Sequence, residues 1–232
     1  MITTRKSSER GHTRIDWLDS RHTFSFGEYH DPRHSGFRTL RVLNDDRVQR
    51  ASGFGTHGHR DMEIVTWVLD GSLEHKDSMG NHSVIGPGDV QRMSAGTGVM
   101  HSEWNPSKTD GVHFLQMWIL PDKAGTKPSY EEKKIPLADR RAQWRRIADK
   151  DGRDGAVRIG ADASILNTVL ERGESVAYEP AAGRSLWLHV ARGSVVANGV
   201  ELGEGDGLAV RDETLLGVEA KGPSELMLFD LK

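Results

Sequence analysis

The sequence predicts an all-β protein made of two similar β-barrel (jelly-roll) domains in tandem, with short helices and a linker. Three observations support this fold class. Apolar runs are short, glycine-containing turns separate them, and one pattern of strand, glycine turn and hairpin occurs twice. The 26 glycines among 232 residues fit frequent turns better than they fit a helical protein.

Four apolar runs are predicted to be buried strands. Turn-forming pairs such as Asp70-Gly71, Gly80-Asn81 and Asn198-Gly199 lie between the runs. The four runs are residues 64–69, 112–120, 186–191 and 226–231. Their length favours strands over helices.

The middle of the chain is predicted to separate two domains, residues 1–135 and 143–232. Residues 121–136 are polar and contain three of the eight prolines, which is typical of a linker. Residues 137–148 predict the one convincing helix, because they follow a proline and end before an Asp-Gly turn. The arginines of this stretch are expected to form a solvated helix face, with a binding patch as the alternative. They are Arg140, Arg141, Arg145 and Arg146.

A weak internal repeat supports the two-domain prediction. The repeated segments are VLDGSLEH (68–75) with VARGSVVA (190–197), and GPGDV (86–90) with GEGDG (203–207). Aligning Gly71 with Gly193 places no histidine pair in the second copy. Only the N-terminal domain is therefore expected to bind metal.

Two short motifs predict a metal site. His57 and His59 form an H-x-H pair, and His101 and Glu103 form an H-x-E pair. Residues i and i+2 of a strand point to the same face, so each pair can aim two side chains at one point. Imidazole and carboxylate are both ligands for divalent transition metals. We therefore predict that these four residues bind one metal and leave coordination positions free, as catalysis requires.

A second carboxylate near these motifs is Glu63, whose even spacing from His59 suggests the same strand face. We expect Glu103 to be the fourth ligand and Glu63 to face inward and accept a hydrogen bond from a ligating histidine. Either carboxylate could be the general base, and whether Glu63 is a ligand, a base or a hydrogen-bond partner is left open. Other histidines, His75 and His113 among them, are expected to be ordinary hydrogen-bonded residues.

Composition excludes several classes of protein. The 31 Lys+Arg and 34 Asp+Glu residues nearly balance, which gives no electrostatic argument for a nucleic-acid partner. Because the chain has no cysteine, disulfides, thiolate ligands and cysteine catalysis are excluded. The sequence shows no secretory signal and no apolar stretch long enough to span a bilayer. A cytoplasmic protein that contacts no membrane is expected.

The motifs resemble a known family. The first motif, GFGTHGH followed by Glu63, and the second, PGD followed by HSEWN, form the two-part pattern of the cupin superfamily. Longer stretches resemble the pirin family, whose members are bicupins, and cover most of the N-terminal half. The C-terminal half is similar only in its general pattern and in lacking ligands. The matching stretches are residues 17–32, 36–48, 53–81, 87–105 and 120–133.

The resemblance implies a metal-dependent dioxygenase that opens the central ring of a flavonol such as quercetin with O₂ and releases carbon monoxide. It also implies that His57, His59, His101 and Glu103 hold the metal, for which we expect Fe(II), with Mn, Ni, Cu or Zn as alternatives. The alternative function is a metal-binding, redox-responsive regulator that acts through a protein partner. Another cupin reaction is a third possibility, because fold does not fix function. A monomer is expected, since a bicupin already packs two barrels within one chain.

Overall fold

The computed structural model describes residues 1–232 and consists of four β-sheets with one short α-helix. The strands of the first half are β1 (Ile2–Arg5), β2 (Gly11–Ile15), β3 (Leu18–His22), β4 (Leu40–Val48), β5 (Gly53–His59), β6 (Glu63–Asp70), β7 (Leu73–Asp77), β8 (His82–Ile85), β9 (Asp89–Ser94), β10 (Val99–Trp104), β11 (Val112–Ile119) and β12 (Ser129–Lys134). Helix α1 (Leu137–Arg140) follows. The strands of the second half are β13 (Arg145–Asp149), β14 (Val157–Arg158), β15 (Ala163–Leu170), β16 (Ser175–Tyr178), β17 (Ser185–Arg192), β18 (Ser194–Ala197), β19 (Val200–Gly203), β20 (Gly207–Arg211), β21 (Leu216–Ala220) and β22 (Ser224–Leu231). Three 3-10 turns complete the chain, at Ser7–Glu9, Pro32–His34 and Arg153–Gly155.

Each domain pairs a large sheet with a small one. The first domain has a seven-stranded sheet, β12-β9-β6-β11-β4-β3-β2, and a four-stranded sheet, β5-β10-β7-β8. Val68 and Phe114 of the large sheet pack against Leu73 of the small one, so the two sheets face each other across a core. The second domain repeats this with β1-β20-β17-β22-β15-β13-β14 and β16-β21-β18-β19. The expectation of an all-β bicupin is confirmed, and the four apolar runs form β6, β11, β17 and β22.

The internal repeat corresponds to equivalent turns in the two domains. Gly71 lies between β6 and β7, Gly193 lies between β17 and β18, and their φ angles are +73° and +83°. A Cβ atom would lie 2.4 Å from the Gly111 carbonyl oxygen at the first turn and 2.2 Å from that of Pro223 at the second. Each turn thus lies against the backbone just before a central strand, β11 in the first domain and β22 in the second. Only glycine fits there, because a side chain would clash with that backbone.

The two domains share one core. The largest buried apolar cluster joins Val65 and Trp67 of β6 to Ile165 of β15 and Phe229 of β22. The Trp67 Nε1–H also donates to Glu225 Oε1 at 2.9 Å. The large sheets therefore pack against each other, and alternate residues of β6 face the second domain and the interior of the first.

The first strand joins the second domain. β1 pairs in antiparallel fashion with β20, with Ile2 opposite Val210. Residues 2–5 therefore extend the C-terminal sheet, although the sequence placed residues 1–135 together in the first domain. We propose that the division between 135 and 143 holds for the rest of the chain.

The predictions of a linker at residues 121–136 and of a helix at residues 137–148 are wrong in part. Residues 129–134, within the expected linker, form β12 and pair with β9. Of the expected helix 137–148 only one turn, α1, exists, and residues 145–149 form β13, which pairs with β15. Packing overrides helix propensity here, because Ile147 and Ala148 are fully buried in the interdomain core. None of the helices is long and apolar enough to cross a membrane.

The four arginines at this boundary do not share a helix face, because the helix ends at Arg140 while Arg145 and Arg146 lie in β13. Arg140 is only 8% exposed and donates to Asn167 Oδ1 and Glu225 Oε1, both at 3.0 Å. Its guanidinium carbon lies 5.1 Å from the centre of the Trp67 ring. This arginine therefore serves the contact between the domains.

A buried histidine of β17 gives a prediction for stability against pH. His189 is fully buried, neither ring nitrogen has a hydrogen-bond partner, and burial lowers its pKa from 6.5 to about 3. Arg10 and His113 lower this pKa further. Asp45 and Asp206 oppose them and raise it. Between these two pH values the unfolded chain binds a proton that the folded chain does not, so stability falls as pH falls.

We expect His189→Leu to remove this loss. The variant's free energy of unfolding minus that of the parent should increase by about 1.4 kcal/mol for each pH unit below 6.5. Urea unfolding curves of both proteins between pH 7.5 and 4.5 measure the gap. A gap that does not widen toward acid pH would contradict the buried, neutral state of His189.

Candidate metal centre

The two histidine motifs meet on neighbouring strands of the small sheet. β5 and β10 pair in antiparallel fashion, which places His57 opposite His101 and His59 opposite Val99. His57 and His59 are two residues apart on one strand and share a face. The fold therefore brings three imidazoles to one place, as the spacing predicted.

Their ring nitrogens converge. His57 Nε2 and His101 Nε2 are 3.1 Å apart, and one nitrogen from each of His57, His59 and His101 lies within 4.8 Å of the others. Nitrogens that bind the same metal at about 2.1 Å are roughly 3 Å apart, so this spacing is that of a shared metal.

Two of the three rings are in the neutral state that a metal requires. Burial lowers the pKa of His59 to about 4 and that of His101 to about 2, so both are neutral at neutral pH. His57 Nδ1–H donates to the Gly55 carbonyl oxygen at 2.8 Å, which leaves the lone pair of Nε2 free. His59 Nε2 is buried without any partner. A divalent cation would satisfy these nitrogens.

Glu103 lies beside the histidines but outside their compact group. It is 1% exposed, its Oε2 accepts from Gln116 Nε2 at 2.6 Å, and its Oε1 has no hydrogen-bond partner. Burial raises the pKa of its carboxyl to about 7. An unpartnered buried oxygen fits a cation, so Glu103 as the fourth ligand stays a prediction that this chemistry supports.

Glu63 is not where the sequence placed it. Strand β5 ends at His59 and β6 begins at Glu63, so a turn separates the two and even spacing does not put them on one face. Glu63 shares its face of β6 with Val65 and Trp67, which pack toward the second domain. Its Oε2 accepts from Ser94 Oγ at 2.7 Å. The structure does not bring Glu63 into the group of three histidines, and its role as ligand, base or hydrogen-bond partner stays a prediction that this placement does not support.

Comparison with known proteins agrees with this architecture. Residues 3–119 match the family model described as Pirin, and residues 146–231 match one described as the quercetinase C-terminal cupin domain. The chain belongs to the pirin family. A quercetin 2,3-dioxygenase of Escherichia coli K12 is 45% identical over 231 residues, which are 100% of this chain and 99% of that protein.

One further relative and a solved structure match over almost their full length. A putative quercetin 2,3-dioxygenase of Pseudomonas aeruginosa is 43% identical over 232 residues, covering 100% of each chain. The crystal structure of the bacterial pirin YhhW of E. coli in complex with nickel(II) has a TM-score of 0.94 and 44% identity, covering 100% of this chain and 99% of that one.

A cavity of about 390 Å³ opens beside the metal centre of this pirin and is lined in part by His57, His59 and Glu103. Its apolar lining comes from Leu18, Phe26, Phe54 and Trp118. Trp118 packs edge-on against His59 with ring centres 4.9 Å apart, and against Phe26 at 5.4 Å. The metal centre therefore borders a cavity with aromatic residues in its lining.

One side of the same cavity is polar, with Ser20, His22, Asn44 and Asp46. The His22 Nδ1 atom lies 2.9 Å from Asn44 Oδ1. The Asp46 carboxyl is 3% exposed and accepts from Ser20 Oγ, and burial raises its pKa to about 7.

Sequence reasoning missed these polar residues, although a signal was present. Asn44 and Asp46 lie between Val42 and Val48 on one face of β4, and Gln116 interrupts the mostly apolar strand β11; polar residues that interrupt an apolar face commonly serve a site.

Proposed function

We propose that this pirin is a metal-dependent dioxygenase that cleaves the central ring of a flavonol such as quercetin with O₂ and releases carbon monoxide. The observation that carries the proposal is the convergence of three imidazoles at the end of a cavity with aromatic walls. The names of the relatives, quercetin 2,3-dioxygenase, support the same reaction.

The proposed cofactor is one divalent transition metal, Fe(II) for O₂ chemistry, held by His57, His59, His101 and Glu103. Such an ion, when bound, acts as a Lewis acid that lowers the pKa of a coordinated hydroxyl. Imidazole-rich sites also bind Mn, Ni, Cu and Zn, so the ligand set does not select the metal. The nickel(II) complex of YhhW supports a divalent ion in this family.

Glu103 is the proposed general base. It would take the proton of the 3-hydroxyl group of the flavonol, because its buried carboxylate lies beside the histidines of the metal centre. Oε2 accepts from Gln116, so Oε1, which has no hydrogen-bond partner, would serve in turn as metal ligand and as proton acceptor. We do not assign this role to Glu63, because its carboxylate accepts from Ser94 on the face of β6 that packs toward the second domain.

The cavity accounts for the class of substrate. Its volume of about 390 Å³ lies in the range of sites for small aromatic ligands. Phe26, Phe54 and Trp118 offer flat or edge-on contacts to fused rings, and the bound rings would displace water from the metal centre.

The 3-hydroxyl group provides the test. Fe(II)-loaded protein in aerated buffer should consume quercetin, as followed by loss of its absorbance, and should leave luteolin, the same flavone without a 3-hydroxyl group, intact. The reason is that only the 3-hydroxyl gives Glu103 a proton to take next to the metal. Equal consumption of both compounds, or of neither, would count against flavonol dioxygenation.

A further inference from the structure

A buried histidine and aspartate lie behind the metal centre, on the strand that flanks β10 on the side away from β5. Both residues belong to β7, where His75 pairs with Glu103 and Asp77 pairs with His101. Their side chains have no exposed surface. His75 Nε2 is 3.0 Å from Asp77 Oδ2, and His75 Nδ1 is 3.5 Å from His101 Nδ1. A chain of contacts thus runs from Asp77 to a metal-facing histidine.

The contacts of a neutral His75 assign the protons of this chain. A carboxylate only accepts, so the ring proton of His75 lies on Nε2 and is donated to Asp77. The Nδ1 of a neutral His75 is then an acceptor, which receives the Nδ1–H of His101. That nitrogen has a single lone pair, for which Gln91 Nε2, at 3.4 Å, is the competing donor. His101 therefore keeps a bare Nε2, the atom that lies 3.1 Å from His57 Nε2.

Asp77 is itself held in place as an anion. The backbone N–H groups of Met79 and Asn81 donate to its Oδ1 at 2.9 and 3.0 Å. The Asn81 Nδ2–H donates to its Oδ2 at 2.8 Å. We call the pair of His75 and Asp77 the relay. The His75 ring stacks on Tyr130 with ring centres 4.9 Å apart. The orientation of both relay residues is therefore fixed by packing and by hydrogen bonds.

We propose that His75 and Asp77 are positioning residues of the metal centre. Through the His101 Nδ1–H they select the tautomer of His101, fix the plane of its ring and make its Nε2 a stronger donor to a divalent transition metal. The proposal rests on the metal site of the proposed function and is independent of the substrate.

The same sheet provides a matched control. His82 Nε2 contacts Glu74 Oε1 at 2.8 Å, which is also a histidine–carboxylate pair on β7 and β8. The His82 side chain is 57% exposed and contacts no metal-facing histidine. Its substitution tests for general effects of changing a histidine of this sheet.

The test is the affinity of metal-free protein for Ni(II), measured by competition with a chromogenic chelator, in four variants and the parent. His75→Phe keeps the ring against Tyr130 but cannot accept from His101, and should weaken Ni(II) binding about 10- to 100-fold. His75→Asn places a carbonyl oxygen near the former Nδ1, and should retain more affinity than His75→Phe. His82→Phe should bind as the parent does.

Asp77→Asn checks the far end of the relay. Its amide would compete to donate to His75 Nε2 and so favour the wrong tautomer, and we expect Ni(II) affinity to fall about tenfold. Thermal unfolding of each metal-free variant shows whether the fold is retained. If the fold of His75→Phe were lost, the Asp77→Asn measurement would still decide.

The outcomes separate the possible roles. A purely structural role of His75 predicts the reverse order, with His75→Asn binding more weakly than His75→Phe, and that result would overturn the proposal. So would parent-like affinity in both His75→Phe and Asp77→Asn, or a parent that does not bind Ni(II). Tight, relay-dependent Ni(II) binding without quercetin turnover would support the relay and reject only the proposed reaction.

Discussion

Glu103→Gln is expected to reduce the turnover of quercetin by about 10²- to 10⁴-fold, the usual contribution of a general base. An amide of the same shape can still accept from Gln116 but cannot take a proton from the substrate. The measurement is kcat at saturating Fe(II), so that weaker metal binding does not lower the rate. Glu63→Gln is the matched control and should leave kcat near that of the parent, because Glu63 contacts Ser94 on the opposite face of β6.

The comparison of the two glutamates decides between the sequence expectation and the structure. Loss of turnover in Glu63→Gln together with a normal Glu103→Gln would contradict the assigned base. Similar losses in both would mean that the interdomain face of β6 affects the site.

His57→Ala and His101→Ala are each expected to lose bound metal and turnover together. Each substitution removes one of three converging nitrogens, and the loss of affinity should exceed the roughly 10- to 100-fold effect of a residue that only supports a ligand. Elemental analysis after dialysis against a weak chelator measures the metal retained per chain. His82→Ala, at an exposed position of the neighbouring hairpin, should retain the metal content of the parent. Full metal in both ligand variants would refute the site.

The sequence predicted much of the fold because its signals were local. Short apolar runs such as 64–69 and 226–231 became central strands, and the glycine turns at Gly71 and Gly193 required positive φ angles that the sequence pattern already suggested. The helix at 137–148 failed because its outcome depended on distant residues. Pairing of 145–149 with β15 and burial of Ile147 outweighed the local preference.

The site was predictable to the same extent. Strand parity placed His57 and His59 correctly, since both lie within β5, and antiparallel pairing brought His101 to them. Parity misled for Glu63 because a turn interrupts the strand before it. His75 was not recognised, because its role depends on which strand lies beside β10. The regulatory alternative, the monomeric state and the cytoplasmic location stay predictions.

The most direct test of the proposed function is the release of carbon monoxide from quercetin in aerated buffer by protein reconstituted with Fe(II) under anaerobic conditions, alongside His101→Ala treated identically. We predict one carbon monoxide per quercetin consumed by the parent and none from the variant. Equal release by both proteins, or none by a parent shown to contain iron, would contradict a dioxygenase that acts at this centre.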